Sequence, residues 1–90
     1  ASAAGDPSEL REAVGADPAN HQARFDLAIA LMGNGDNEGA IDQLLEIMKR
    51  AADWNESAAK SQLLKIFEAL GPIDELTKSG RRKLAALLFS

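Results

Sequence analysis

The side chains of this 90-residue chain that could do chemistry are few and do not form a reactive set. The one histidine, His21, has its nearest acidic residues in sequence at Asp17 and Asp26, whereas a metal site needs three or four ligands. Cysteine is absent, which excludes a disulfide framework, a thiolate metal site and a cysteine redox centre within the chain. We therefore interpret His21 as a surface residue at the start of a helix, and we predict no metal and no other cofactor.

The other short motifs in the chain lack the neighbouring residues that their chemistry would require. The run Asp36-Asn37-Glu38 lacks the length and the closing glutamate of a calcium loop. Gly33-x-Gly35 is not a phosphate loop, because no strand precedes it and no Lys-Ser/Thr pair follows. A nucleophilic serine needs a base beside its hydroxyl, and none is indicated for Ser8, Ser57, Ser61, Ser79 or Ser90. We predict that the chain is not an enzyme.

Charge is unevenly distributed along the chain. Residues 1–56 hold eleven acidic and four basic side chains, a net charge of −7, whereas residues 57–90 hold three acidic and six basic, a net charge of +3. Such polarity can steer a partner, although a solvated face without a partner is the alternative; Glu38, Asp42 and Glu46, at four-residue spacing on one helical face, are interpreted as solvated. The overall net charge of −4 argues against a nucleic-acid partner.

Apolar residues recur at helical spacing, which predicts an all-α chain of about five helices. Gly, Pro, Asn and Asp fall at the breaks between them, as caps and turns require. Trp54 lies in a predicted linker, Ala51–Glu56, and we expect it to pack over the ends of two helices, a ligand platform being the alternative. The predicted helices cover about residues 7–15, 20–32, 37–51, 56–70 and 74–89, the fourth capped by Asn55 or Ser57.

The spacing within residues 24–49 is typical of a tetratricopeptide repeat (TPR), whose signature is W-x2-L-G-x2-Y, then A-x3-F, then P. The matching positions here are Arg24, Leu27, Ala28, Leu31, Ala40 and Leu44. Small residues thus lie at Ala28 and Ala40, where the two helices must approach closely. Because Arg24 replaces the aromatic and Ala52 replaces the proline, the match is to a degenerate repeat, and a generic helical hairpin is the alternative.

A second, more divergent repeat is visible at an offset of 36, which pairs Leu27 with Leu63, Leu31 with Phe67 and Ala40 with Leu76. We therefore predict one domain over residues 1–90, with residues 1–6 disordered or a tag, a short helix over 7–15, a first repeat over 20–51 and a second over 56–89. The expected fold is a right-handed solenoid fragment of stacked antiparallel helix pairs. Its predicted core comprises Leu27, Leu31, Ala40, Ile41, Leu44, Leu63, Phe67, Leu76 and Leu84.

Three ordered segments carry a more specific resemblance: residues 17–50, then WNESAAKSQLLKIFEALGP, then RRKLAALLF. Together they resemble the C-terminal TPR region of bacterial thioredoxin-fused TPR proteins, the chaperedoxin family, over about residues 7–90. The resemblance implies a cytoplasmic protein that holds unfolded clients and works with the chaperonin or other chaperones. No redox activity is implied for any residue of this chain. The alternative is a structural C-terminal cap, or a homo-oligomerisation module, of a longer TPR solenoid.

No apolar run in the chain approaches the length that spans a bilayer, and the N-terminus ASAAGDPSEL lacks the basic region and apolar core of a signal peptide. We expect neither a membrane nor a nucleic-acid partner.

In TPR stacks the first helix of each repeat lines an inner groove, which here would present Phe25, Ile29 and Met32. One TPR subclass grips a peptide carboxylate with Lys and Asn at the positions of Phe25 and Ile29, so a carboxylate clamp is not expected, because neither side chain donates a hydrogen bond. The stripe instead predicts weak binding of apolar peptide segments. The alternative assigns it to the core.

The last helix carries a second candidate surface, in which Arg81, Arg82, Leu88 and Phe89 form an exposed docking tip. The alternative is that Leu84 and Leu87 dock inward and the cations favour the helix C-terminus. Gly80 interrupts this helix at a cost of about 1 kcal/mol relative to Ala, and we expect it to permit the close approach of another backbone.

Overall fold

The computed structural model describes residues 6–89 and contains five helices in that range, with no strand. They are α1 (Pro7–Ala16), α2 (His21–Gly33), α3 (Asn37–Ala51), α4 (Trp54–Leu70) and α5 (Glu75–Leu88). The all-α fold is as predicted. Residues 1–5 and 90 lie outside the described range, and with them almost all of the segment predicted to be disordered or a tag. No helix among the described residues is both long and apolar enough to cross a membrane.

Side-chain caps begin four of these helices. The first backbone N–H groups of a helix have no partner within it, and a short polar side chain can accept from them. Asp6, Asn20, Asp36 and Asp74 do so, accepting from the N–H of Ser8, Ala23, Gly39 and Leu76 respectively. The Ser8 hydroxyl and the Ser8 N–H both donate to Asp6, and these bonds hold the pKa of that carboxyl below its ordinary value.

The start of α4 differs in part from the prediction. Trp54 is the first residue of the element, but its right-handed part begins only after Ser57, close to the predicted start, and neither Asn55 nor Ser57 forms a side-chain cap. Instead Asn55, Glu56 and Ser57 have φ angles of 48°, 56° and 62°, in the left-handed region that non-glycine residues rarely adopt. This single left-handed turn redirects the chain between α3 and the right-handed part of α4.

The core lies where α2, α3 and α4 meet. Eight of the nine predicted core residues are buried, and the fully buried Phe67, Leu27, Leu44 and Leu63 are the largest of these. Arg24, at the TPR aromatic position, is also buried and donates to Gln43 Oε1 at 3.0 Å and to the Pro18 carbonyl at 3.4 Å. The guanidinium therefore ties α2 to α3 and to the preceding turn.

The alignment of α5 with the first repeat differs from the prediction. Leu76 is only half-buried, whereas Thr77, Gly80 and Leu84 are buried. Gly80 and Leu84 thus occupy the places of Ala40 and Leu44, at an offset of 40 instead of 36. The turn between α4 and α5, residues 71–74, is only one residue longer than the turn between α2 and α3, residues 34–36, so the rest of the difference lies within the helices. Gly71, in the longer turn, has a φ of 90°. Gly80 does permit a close approach, but of the Phe67 ring rather than of a backbone.

Candidate functional site

The outer sides of α2 and α4 adjoin each other, and we call them together the α2–α4 surface. Side-chain contacts join the two helices at two points. The rings of Phe25 and Trp54 lie 5.6 Å apart between centroids, and Gln62 Nε2 donates to Met32 Sδ at 3.3 Å. The predicted stripe of Phe25, Ile29 and Met32 therefore lies along this seam.

The members of the stripe differ in burial. Phe25 and Met32 are half-buried and pack against the core. Part of each side chain therefore belongs to the core, as the alternative interpretation of the stripe predicted. Ile29 is also half-buried but is not among the side chains that pack on the core. Because Ile29 lies between Phe25 and Met32 on the same helix face, it is the member of the stripe that does not contribute to the core.

Trp54 closes one end of the stripe. It packs against α2, as expected, and its ring also meets His21 edge-on at a centroid distance of 6.2 Å. His21 is therefore half-buried in an aromatic cluster and is not the plain surface residue that was predicted. Its Nδ1 atom is buried and has no hydrogen-bond partner.

The α4 side of this surface is polar. Ser61, Lys65 and Glu68 are exposed and Ala58 is half-buried, in the positions expected for the second repeat. On α2, Gln22 donates to Asp26 at 2.9 Å along the same exposed edge. The surface can thus bind apolar side chains along α2 and polar groups along α4. Among residues 6–89, no three His, Cys, Asp or Glu side chains are placed to hold a metal ion.

The predicted docking tip lies on a different element. Arg81 and Arg82 are exposed, Leu88 is 50% exposed and Phe89 is 88% exposed. Arg81 and Leu88 are seven residues apart, as are Arg82 and Phe89, so each pair shares one side of α5. Leu84 is buried and Leu87 is half-buried against the core, so both dock inward as the alternative interpretation of this helix predicted. The tip and the stripe are therefore two separate surfaces.

A third feature was not predicted from the sequence. A groove of about 470 Å³ runs between α3 and α5, which we call the α3–α5 groove, and it continues into a smaller cavity of about 170 Å³. The groove is lined by Asp42, Leu45, Glu46, Lys49, Lys83, Ala86 and Leu87. The four-residue spacing of Glu38, Asp42 and Glu46 was a signal for one wall, but nothing in the sequence indicated that α5 forms the other.

The comparisons with known proteins agree with this architecture. The chain gives no match among curated proteins and none among solved structures. A family model described as tetratricopeptide repeat matches residues 1–89, which is nearly the whole chain. With the repeated helical hairpins described above, this match shows that the chain belongs to the tetratricopeptide repeat family.

Proposed function

We propose that the chain is a non-catalytic protein-interaction module whose α2–α4 surface binds apolar segments of unfolded client proteins. Tetratricopeptide repeats generally mediate protein–protein interactions, and the proposal names the surface and the class of ligand. The sequence resemblance supports a place in the C-terminal part of a bacterial, cytoplasmic chaperone of the thioredoxin-fused type. The alternative role is a structural cap or a self-association module within a longer TPR solenoid.

The proposal rests on Ile29, a half-buried side chain that does not pack on the core and lies between two half-buried apolar neighbours. No charged residue interrupts the stripe, and Met32 supplies an adaptable thioether that suits varied apolar ligands. The stripe offers no side-chain donor for a terminal carboxylate. These features favour unspecific apolar segments over a single defined peptide terminus.

The test is Ile29→Asp, with Ile73→Asp as the matched control. Both variants make the same change, but Ile73 lies in the turn between α4 and α5 and is 83% exposed. If Ile29 is covered by the client, its loss should weaken binding of a reduced, alkylated, permanently unfolded protein about tenfold, since burying such a side chain contributes about 1.5–3 kcal/mol. Equal affinities of the two variants, measured by fluorescence anisotropy, would refute the proposal.

The exposed Phe89 favours a second candidate, in which the tip of α5 docks on the chaperonin or another chaperone. An aromatic side chain that is 88% exposed beside two arginines is the kind of anchor that interfaces use. The variant Leu88→Ser/Phe89→Ser removes it without touching Leu87, which packs on the core. We expect a near-normal melting temperature with lost chaperonin pull-down from the longer protein.

The matched control for the tip is Leu64→Ser/Ile73→Ser, which removes two other exposed apolar side chains. It should retain the pull-down. Retained binding in the tip variant would reject this second candidate and leave the client-binding proposal unaffected.

A further inference from the structure

Trp54 covers one end of the apolar stripe and is held there by packing alone. Its ring lies 5.6 Å from the Phe25 ring and 6.2 Å from the His21 ring, between centroids. The indole is half-buried and also packs against the core. Within residues 6–89, its ring nitrogen donates no hydrogen bond to a side chain or to the backbone. Nothing directional therefore fixes the indole on α2.

The backbone that follows Trp54 is strained. Asn55, Glu56 and Ser57 lie in the left-handed region, which is unfavourable for residues other than glycine. Of the five helices in residues 6–89, α4 alone begins without a side-chain cap. Strained backbone persists only where its surroundings hold it. Here the contacts of Trp54 hold one side of the turn, and Ala59, which is 1% exposed in the core, holds the other.

A second unfavourable feature lies beside the indole. His21 Nδ1 is buried and has no hydrogen-bond partner, and a buried polar atom without a partner lowers stability. The Trp54 ring meets the His21 ring edge-on, so departure of the indole removes one of the groups that cover it. The strained turn and the unpaired histidine would both become more favourable if Trp54 moved away from α2.

We propose that Trp54 is a displaceable lid on Phe25, and that an aromatic side chain of an unfolded client takes its place. This inference rests on the proposed function of the α2–α4 surface and names the side chain that the surface selects. When the lid opens, residues 55–57 adopt the right-handed geometry of the rest of α4. Relief of the strain offsets part of the cost of removing the indole, and the client ring restores the aromatic contact with Phe25.

The emission of Trp54 reports the lid directly, because the chain has no other tryptophan and no tyrosine. The probes are two tryptophan-free apolar peptides, identical except for a central phenylalanine in one and a central leucine in the other. Binding of the phenylalanine peptide should shift the emission to the red and increase its quenching by acrylamide, because the indole moves into water. A blue shift or an unchanged spectrum on binding would overturn the lid.

The same two peptides test the choice of ligand. Calorimetric titration should show about fivefold tighter binding of the phenylalanine peptide, since an aromatic pair is stabilised beyond its buried area. Equal affinity of the two peptides would overturn the proposal that an aromatic side chain replaces the indole.

Ser57→Gly tests the contribution of the strained turn. Glycine tolerates the left-handed region and is a poor former of right-handed helix, so this variant should keep the lid closed. We expect it to bind the phenylalanine peptide about tenfold more weakly. Ser79→Gly makes the same change in α5, away from the lid, and should leave the affinity unchanged. Equal affinities of the two variants would overturn the coupling between turn and lid.

Ile29→Asp separates the lid from the client-binding proposal. Weakened peptide binding in this variant, with an unchanged Trp54 emission when the wild-type chain binds, would overturn the lid and leave client binding at the stripe intact. Full affinity in Ile29→Asp, with the red shift retained, would refute the role of the stripe and support the lid.

Discussion

At the residue scale, Gly80 shows how one small side chain decides the docking of a helix. A Cβ atom built at this position would lie 2.5 Å from the Phe67 ring, and Phe67 is only 1% exposed. The ring cannot move away without disturbing the core, because protein interiors are close-packed. Gly80 therefore lowers the helix propensity of α5 but allows α5 to pack closely on α4.

Gly80→Ala should consequently destabilise the fold although alanine is the better helix former. Overpacking a core costs about 1–3 kcal/mol, and the gain in propensity returns about 1 kcal/mol, so a net loss of up to about 2 kcal/mol is expected. The measurement is the midpoint of urea denaturation. The control is Gly15→Ala in α1, where an added Cβ meets nothing within 4 Å; equal stabilisation by both substitutions would contradict the packing argument.

The sequence predicted that Gly80 permits a close approach, but it could not identify the approaching group. Spacing shows which positions of one helix share a face, and it does not show which side chain of another helix meets them. The same limit explains Leu76, which repeats the apolar character of Ala40 at an offset of 36 but is only half-buried. Gly80 and Leu84 are buried instead, because only a small residue fits beside Phe67.

At the scale of elements, the left-handed turn of Asn55, Glu56 and Ser57 is the feature furthest from expectation. Asn and Ser are ordinary cap residues, so their positions indicated a helix start. Their positive φ angles place them in a left-handed turn that precedes the right-handed helix. Nothing in local propensity indicates three successive left-handed residues, because only glycine adopts that region readily.

Ser57→Gly should stabilise the protein. A non-glycine residue in the left-handed region costs about 1–2 kcal/mol, and glycine removes most of that strain, so we expect a rise of several degrees in melting temperature by circular dichroism. Ser61→Gly is the control, since Ser61 lies further along α4, outside the left-handed turn, where glycine should lower the melting temperature. A comparable decrease for both would show that residue 57 has ordinary helical geometry.

At the scale of the whole molecule, the order of the helices, most of their caps and nearly all of the core could be predicted from the sequence. Apolar periodicity and polar breaks are local signals, and they recur strongly in α2 and α3. The α3–α5 groove could not be predicted, because its shape depends on the position of α5 along α3. The turn before α5, residues 71–74, is only one residue longer than the turn before α3, residues 34–36, so its length does not indicate that position.

The candidate site was predicted in position but not in detail. Phe25, Ile29 and Met32 do lie together on α2, since their spacing is purely helical. That Phe25 rests on Trp54, and Met32 on Gln62, depends on the packing of α4, to which the sequence gives no direct access. Ile29, which takes no part in the core, is therefore central to the functional proposal.

Client binding to the α2–α4 surface can be mapped by the amide chemical-shift changes of the isotope-labelled 90-residue chain. A reduced, alkylated, permanently unfolded protein would be titrated into it. We expect the largest changes at Phe25, Ile29 and Met32 and along the facing side of α4, together with a change in Trp54 fluorescence. Changes confined to α3 and α5, with α2 unaffected, would contradict client binding at this surface.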